Sequence, residues 1–218
     1  MGTQTELTVG CSMVRLTIDD DVASEKGHEK ALRSVRVPNC RLWASMPCIG
    51  GSQWNVKNYK KGSAKTRAKI DRHREKFAEI WGKFTEVARE CLNFHPSNVV
   101  CIEWPNKCTY WELEHVQAFL HENNFIELLL HGCAYGLVGQ NRHKGKPILK
   151  PWRVATTAYT DSIFLSKRCP GHRKHAVCEG DETRATEEYT WPLVNAVHQA
   201  HAHHIGKYYE DGRKAHKG

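Results

Sequence analysis

The stretch Cys169-Pro170-Gly171-His172-Arg173-Lys174-His175-Ala176-Val177-Cys178 packs four soft metal ligands close together. At the spacing C-x2-H-x2-H-x2-C, Cys169, His172, His175 and Cys178 can close on one zinc ion, which takes cysteine sulfur and histidine nitrogen at tetrahedral sites. The Pro-Gly turn helps the chain fold back. The spacing is tighter than in common zinc fingers, and a chain with 14 histidines and nine cysteines also produces such clusters by chance. Arg173 and Lys174 suit contact with phosphate whether or not metal is bound.

A second group with chemical potential is the loop Met46-Pro47-Cys48-Ile49-Gly50-Gly51-Ser52, which follows an apolar run. A cysteine behind a proline in a glycine-bearing loop can present an accessible thiol, and nearby amides and cations favour its thiolate. The alternative is a cysteine that simply packs in the interior. Glu103 ends another apolar run, Asn98-Val99-Val100-Cys101-Ile102, and precedes Trp104-Pro105. A partly buried carboxyl there could donate a proton, or it could serve as an ion-paired or capping glutamate.

These residues depend on a scaffold of alternating strands and helices. Met13 to Ile18 alternates and is rich in β-branched residues, which predicts a strand ending in Asp19-Asp20-Asp21. The acidic run could cap a helix over 22–32, or meet a ribose hydroxyl at the strand end. Strands are further expected at 41–45, 98–102, 125–130 and 153–157, with 162–165 a sixth strand or a short helix. Ile70, Phe77, Trp81, Phe84, Ala88 and Leu92 draw one apolar stripe along a long helix over 64–92. A helix is expected over 111–122, a mobile basic loop over 136–151, and a last helix begins near Thr190 and Pro192. The tail from Lys207 to Gly218 is polar and expected to be mobile.

This alternation predicts an α/β fold: a Rossmann-like, mostly parallel sheet with helices on both faces, plus a small C-terminal Cys/His-containing segment and helix. The corresponding domains are 11–165 and 166–218. Ligands in such sheets gather at the carboxyl ends of strands. The acidic run, the Cys48 loop and Glu103 each follow an expected strand, so they point to one edge.

Met46-Pro47-Cys48 after a strand resembles the Pro-Cys nucleophile loop of the cytosine-C5 DNA methyltransferases. Val100-Cys101-Ile102-Glu103-Trp104-Pro105 resembles the motif in which their strand ends in Glu-Asn-Val. Gly132-Cys133-Ala134-Tyr135-Gly136-Leu137, with the basic segment through Lys150-Pro151-Trp152-Arg153-Val154, is similar to their later arginine motif. The resemblance covers about residues 12–157. It implies that Cys48 adds to C6 of a flipped pyrimidine, that Glu103 holds and protonates N3, and that Arg153 orients the base. Trp104 or Trp54 would offer the base a stacking wall. The resemblance also implies a methyl group from S-adenosylmethionine, with Asp19, Asp20 and Pro47 toward the cofactor. The chain departs from the family in lacking a Phe-x-Gly-x-Gly loop before Cys48. Met46, Ile49, Trp104 and Pro105 also replace the family's usual residues.

Lys and Arg number 32 against 24 Asp and Glu, a net charge of +8, which fits a polyanionic partner. Lys57, Lys60, Lys61, Lys65 and Arg67, with Arg173 and Lys174, are the expected contacts to nucleic acid, DNA being the expected form. No apolar run approaches the ~18 residues of a membrane span, and no signal core opens the chain. An odd cysteine count without an export signal argues for an intracellular, reducing compartment, with the nucleus compatible. Two functions compete: an enzyme of the methyltransferase type, and a catalytically inactive nucleic-acid-binding module with a zinc-stabilised C-terminal segment. A metal-dependent nuclease is disfavoured because no acidic residues are obviously paired for two metals.

Overall fold

The computed structural model describes residues 11–17 and 19–215. In chain order its elements are α1 (Glu25–Val35), β1 (Arg41–Ala44), α2 (Gln53–Lys61), α3 (Ala64–Phe94), β2 (Val99–Pro105) and α4 (Glu114–Glu122). There follow β3 (Ile126–His131), β4 (Pro151–Thr156), α5 (Asp181–Ala185) and α6 (Trp191–Ala215). The strands form a four-stranded sheet in the order β1-β2-β4-β3. β1 and β2 run parallel, with Arg41 opposite Val99 and Ala44 opposite Ile102.

The α/β class is as expected, but the sheet is mixed, and only part of it is parallel. The links explain this. β1 reaches β2 through α2 and α3, the long crossover that a parallel neighbour requires. Between β3 and β4 there is only a 3-10 turn and a loop, with no crossover helix. β2 is buried along nearly its whole length, as its continuous apolar run predicts, whereas β3 alternates.

The chain divides into two compact units. Among the described residues, one comprises 14–126 and 155–158, and the other comprises 11–13, 127–154 and 159–215. The core of the first unit is built on the stripe of α3. Ile70, Phe77, Trp81, Phe84, Ala88 and Cys91 are buried along this helix, and Ala31 and Val35 of α1 join the same cluster. Phe77 stacks on Tyr110 with ring centroids 3.7 Å apart and meets Trp104 of β2 edge-on at 5.7 Å. Trp104 in turn contacts Trp81 at 5.9 Å and Trp111 at 4.7 Å.

Local chemistry sets the boundaries of these helices. Ser24 caps α1 by accepting the Gly27 N–H, so the acidic run at 19–21 is not the cap. α2 ends at Gly62, whose N–H bonds the Asn58 carbonyl and where a Cβ would come within 2.4 Å of that oxygen. Ser63 then accepts the Thr66 N–H and starts α3. The basic segment is thereby split from the long helix and becomes a helix of its own.

In the second unit, the Glu182 carboxylate accepts the N–H groups of Gln140, Asn141 and His143. These bonds hold its carboxyl below the usual range, that from His143 contributing most. They also tie down the loop expected to be mobile over 136–151. Leu193, Val194, Val197 and Ala200 form the buried stripe of α6, and Thr190 precedes it, its hydroxyl on the Tyr135 carbonyl at 2.5 Å.

Three expectations at the ends of the chain and before the Cys/His segment compare with the structure as follows. The described part of the expected strand at 13–18, residues 13–17, has no regular structure, and Ile18 lies outside the described residues. Of the two alternatives for 162–165 the helical one holds in part: a short 3-10 helix spans Tyr159–Ile163, and a turn and a bend follow at 164–165. The tail continues α6 to Ala215, and residues 216–218 lie outside the described residues. Alternation alone does not make a strand without a neighbour to pair with.

Phe77 is 3 % exposed and packs against the rings of Trp81, Trp104 and Tyr110. Phe77→Ala is expected to destabilise the chain by about 3–5 kcal/mol, the usual cost of truncating a buried phenylalanine. Chemical denaturation should show this as a lower midpoint at unchanged slope.

Candidate metal centre and Cys48 loop

In the second unit four ligand atoms come together: the sulfurs of Cys133 and Cys169 and one ring nitrogen each from His172 and His175, all within 4.8 Å of one another. Cys169 Sγ lies 3.3 Å from His175 Nε2 and 3.5 Å from His172 Nδ1. A tetrahedral ion bound at about 2.0–2.3 Å has ligand–ligand edges of about 3.3–3.8 Å, so these separations suit one ion with little adjustment. The group could therefore hold a metal ion.

Backbone geometry prepares the sulfur. The Gly171 N–H points at Cys169 Sγ at 3.4 Å, on a glycine with φ of 101° that a side chain would strain. That N–H is the leading cause, with the His172 amide and ring and the Cys133 thiol adding to it, that brings the Cys169 thiol down to about 6. Burial, and then the Cys169 sulfur beside it, push the Cys133 thiol up to about 11. Near neutral pH the pair is thus one thiolate and one thiol, and a metal ion would displace the proton on Cys133. The Cys169 N–H donates to His131 Nδ1 at 3.0 Å and orients the start of the loop.

Cys178 is the correction. Its sulfur lies 3.4 Å from Thr186 Oγ1 and is not a member of the quartet. The Ala176 N–H donates to the Pro147 carbonyl at 2.8 Å, and Ile148 and Ala176 form a bridge. That pairing fixes the chain after His175 before it can turn back. Cys133, which sequence spacing missed, comes from the turn that follows β3, 36 positions before Cys169. Its only sequence signal was its place directly after a strand. Arg173 and Lys174 are exposed between the two histidines.

In the first unit the Cys48 loop is tied to Glu103. The parallel register of β1 and β2 sends both chains out at the same end. The Ser45 hydroxyl donates to Glu103 Oε2 at 3.2 Å, and Trp104 Nε1 donates to the Met46 carbonyl at 3.0 Å. Glu103 is buried within β2 rather than beyond its end. Cys48 is half-buried and opens a 3-10 turn over Ile49–Gly51. Gly50 and Gly51 allow this turn to press on the 108–110 segment: a Cβ on Gly50 would meet the Tyr110 hydroxyl at 2.3 Å, and one on Gly51 the Cys108 sulfur at 2.9 Å. Burial first, with the charges of Cys48 and Glu103 adding to it, pushes the Cys108 thiol up to about 12. Cys108 is thus a poor nucleophile at neutral pH, although it lies close to both.

The other expected site residues are engaged elsewhere. Arg153 of β4 pairs with Glu127 of β3 at 3.3 Å. Trp104, a stacking wall by its position in sequence, is 1 % exposed and locked among aromatic rings. Asp20 accepts the Lys30 ammonium at 2.6 Å and the Thr17 N–H at 2.9 Å. The lysine, then that N–H, holds its carboxyl below the usual range. Asp19 and Asp20 follow no strand, and Pro47 lies in the loop tied to β2. Lys57, Lys60, Lys61, Lys65 and Arg67 are all exposed on α2 and the first turn of α3. No helix among the described residues is long and apolar enough to cross a membrane.

No family model, no curated protein and no solved structure matches this chain.

Titrating the metal-free chain with zinc(II) or cobalt(II) is expected to give one ion per chain, with a higher melting temperature that a chelator reverses. Cys133→Ser should lose the ion and Cys178→Ser should keep it. The opposite pattern in elemental analysis would restore the contiguous C-x2-H-x2-H-x2-C set.

Proposed function

We propose that the chain is a nucleic-acid-binding module stabilised by zinc. The observation that carries the reading is the surface of α2 and the start of α3. Residues 53–70 contain Lys57, Lys60, Lys61, Lys65, Arg67 and Lys69, all exposed, and no aspartate or glutamate. This window holds six positive charges in a chain of net +8. Farther along α3 the lysines have acidic partners, such as Lys76 with Glu79 and Lys83 with Glu86. An uncompensated cationic strip beside a compensated one is the pattern that a polyphosphate ligand matches. For the metal, two cysteines and two histidines favour zinc, and four protein ligands make a closed, structural site. Arg173 and Lys174 would then sit on a metal-braced loop as a further contact to phosphate.

A second reading is favoured by the bond from Ser45 to Glu103, which couples the Cys48 loop to a buried carboxyl. It keeps the addition step of cytosine-C5 chemistry. The Cys48 sulfur bonds to C6 of an extruded pyrimidine, the C5–C6 double bond opens, and N3 takes a proton from the Glu103 carboxyl. Reversal expels the thiolate and returns the proton. This reading concerns the addition step alone.

Binding to a labelled oligonucleotide, followed by fluorescence anisotropy, is expected to weaken linearly in log–log form as salt rises. Replacing Lys57, Lys60, Lys61 and Lys65 together by Gln should flatten that slope by about 3, at roughly 0.7–0.9 for each phosphate no longer neutralised. Binding that is absent, or indifferent to salt, would refute the module.

The addition step is tested separately with an oligonucleotide carrying 5-azacytosine, whose C6 is more electrophilic. Peptide mass spectrometry should find the adduct on Cys48 and on no other cysteine, and none in Cys48→Ser. An unmodified Cys48 under conditions of saturated binding would rule this step out.

A further inference from the structure

The first turn of α2 carries Trp54, which is 63 % exposed, the indole facing solvent in a helix that buries none of its residues. Helical periodicity divides α2 into two faces. Asn55, Val56 and Tyr59 point inward and are half-buried, while Trp54, Lys57, Asn58 and Lys61 share the outward face. The inward face is anchored: the Arg74 guanidinium lies over the Tyr59 ring at 4.4 Å, and the Tyr59 hydroxyl reaches Asp71 at 3.3 Å. The outward face is already arranged as an aromatic surface beside a cation, with Lys57 Nζ 5.2 Å from the centre of the Trp54 ring.

A large exposed indole is costly to leave in water and suits a partner with an apolar face. Here it is surrounded by positive charge, with no carboxylate between residues 53 and 70, which excludes a basic partner and disfavours a purely apolar one. The ligand chemistry that matches both features at once is a flat ring carried on a phosphate chain. In a duplex the base faces are stacked on one another, and a helix lying against the backbone meets only sugar and phosphate. Single strands offer base faces and phosphates together.

We infer that α2 is a single-strand nucleic-acid platform, with Trp54 stacking on a base and Lys57, Lys61 and neighbouring Lys60 and Lys65 holding the flanking phosphates. This rests on the nucleic-acid reading above and narrows it to unpaired strands. α2 follows the Cys48 loop directly, its cap Ser52 being the last residue of that loop. A base held on Trp54 therefore belongs to a strand that passes the loop.

The test compares a mixed-sequence single-stranded oligonucleotide with the duplex formed from it, by anisotropy across a salt series. Three chains are used: wild type, Trp54→Ala and Trp54→Phe. The single strand should bind more tightly than the duplex. Trp54→Ala should weaken single-strand binding by about 5- to 100-fold, the range for losing one stacked base. The salt slope should not change, because the lysines remain, and Trp54→Phe should recover most of the affinity. The melting temperature should be unaffected, since Trp54 contributes nothing to the core. Wild-type affinity in Trp54→Ala, or tighter binding of the duplex, would overturn this inference while leaving a lysine-dependent salt slope intact. Absence of binding to either form by the wild type would overturn the module and the platform together.

Discussion

The packing of the α3 aromatic stripe against β2 is the constraint on which the first unit depends. Phe77 and Trp81 both touch Trp104, and Phe77 stacks on Tyr110. With these rings in place, the 108–110 segment is fixed as a wall. The Cys48 turn can approach that wall only because residues 50 and 51 have no side chain. α2 begins where the turn ends, so its orientation follows as well. The packing of one helix on one strand thus determines where the thiol, the buried carboxyl and the basic helix lie. The same packing excludes Trp104 from any binding role, because the indole that supports the loop is enclosed in the core.

Charge is separated along the same helical pair. Farther along, α3 matches its charges internally and with the residue that follows α1, as in Lys76 with Glu79 and Arg36 with Glu90. Surface pairs of this kind contribute little stability, about 0–1 kcal/mol each, but they neutralise the local field. Between 53 and 70 the sequence supplies no acid for that purpose. Self-repulsion among six cations destabilises the free chain, and a polyanion would relieve it.

The second unit uses polar chemistry where the first uses aromatic packing. A single carboxylate, Glu182, satisfies three backbone donors of the 139–146 loop, and the Cys/His quartet gathers the loop after residue 168 onto the turn that follows β3. Irregular segments cannot bury enough apolar surface to order themselves, so ions and buried carboxylates are the usual substitutes. The Cys169 thiol is lowered first by the Gly171 N–H and the Cys133 thiol is raised first by burial, and the closeness of the two sulfurs adds to both shifts.

Elements governed by short-range periodicity were legible in the sequence. The spacing of Phe77, Trp81, Phe84 and Ala88 predicts α3, and the run Val99–Ile102 predicts a doubly covered strand, because side-chain direction repeats every 3.6 or two residues. The candidate ligands Cys169, His172 and His175 were legible for the same reason, being neighbours along the chain. Pairing over distance was not. The strand expected at 13–18 had the right alternation and, in its described part, no strand to pair with, the sheet became mixed because the β3–β4 link has no helix, and in the candidate quartet Cys133 stands where Cys178 was expected, the chain after His175 being held at the Ile148–Ala176 bridge. A sequence specifies which residues can be ligands or strands; which of them meet is decided by the backbone hydrogen bonds and packing of segments far apart in the chain.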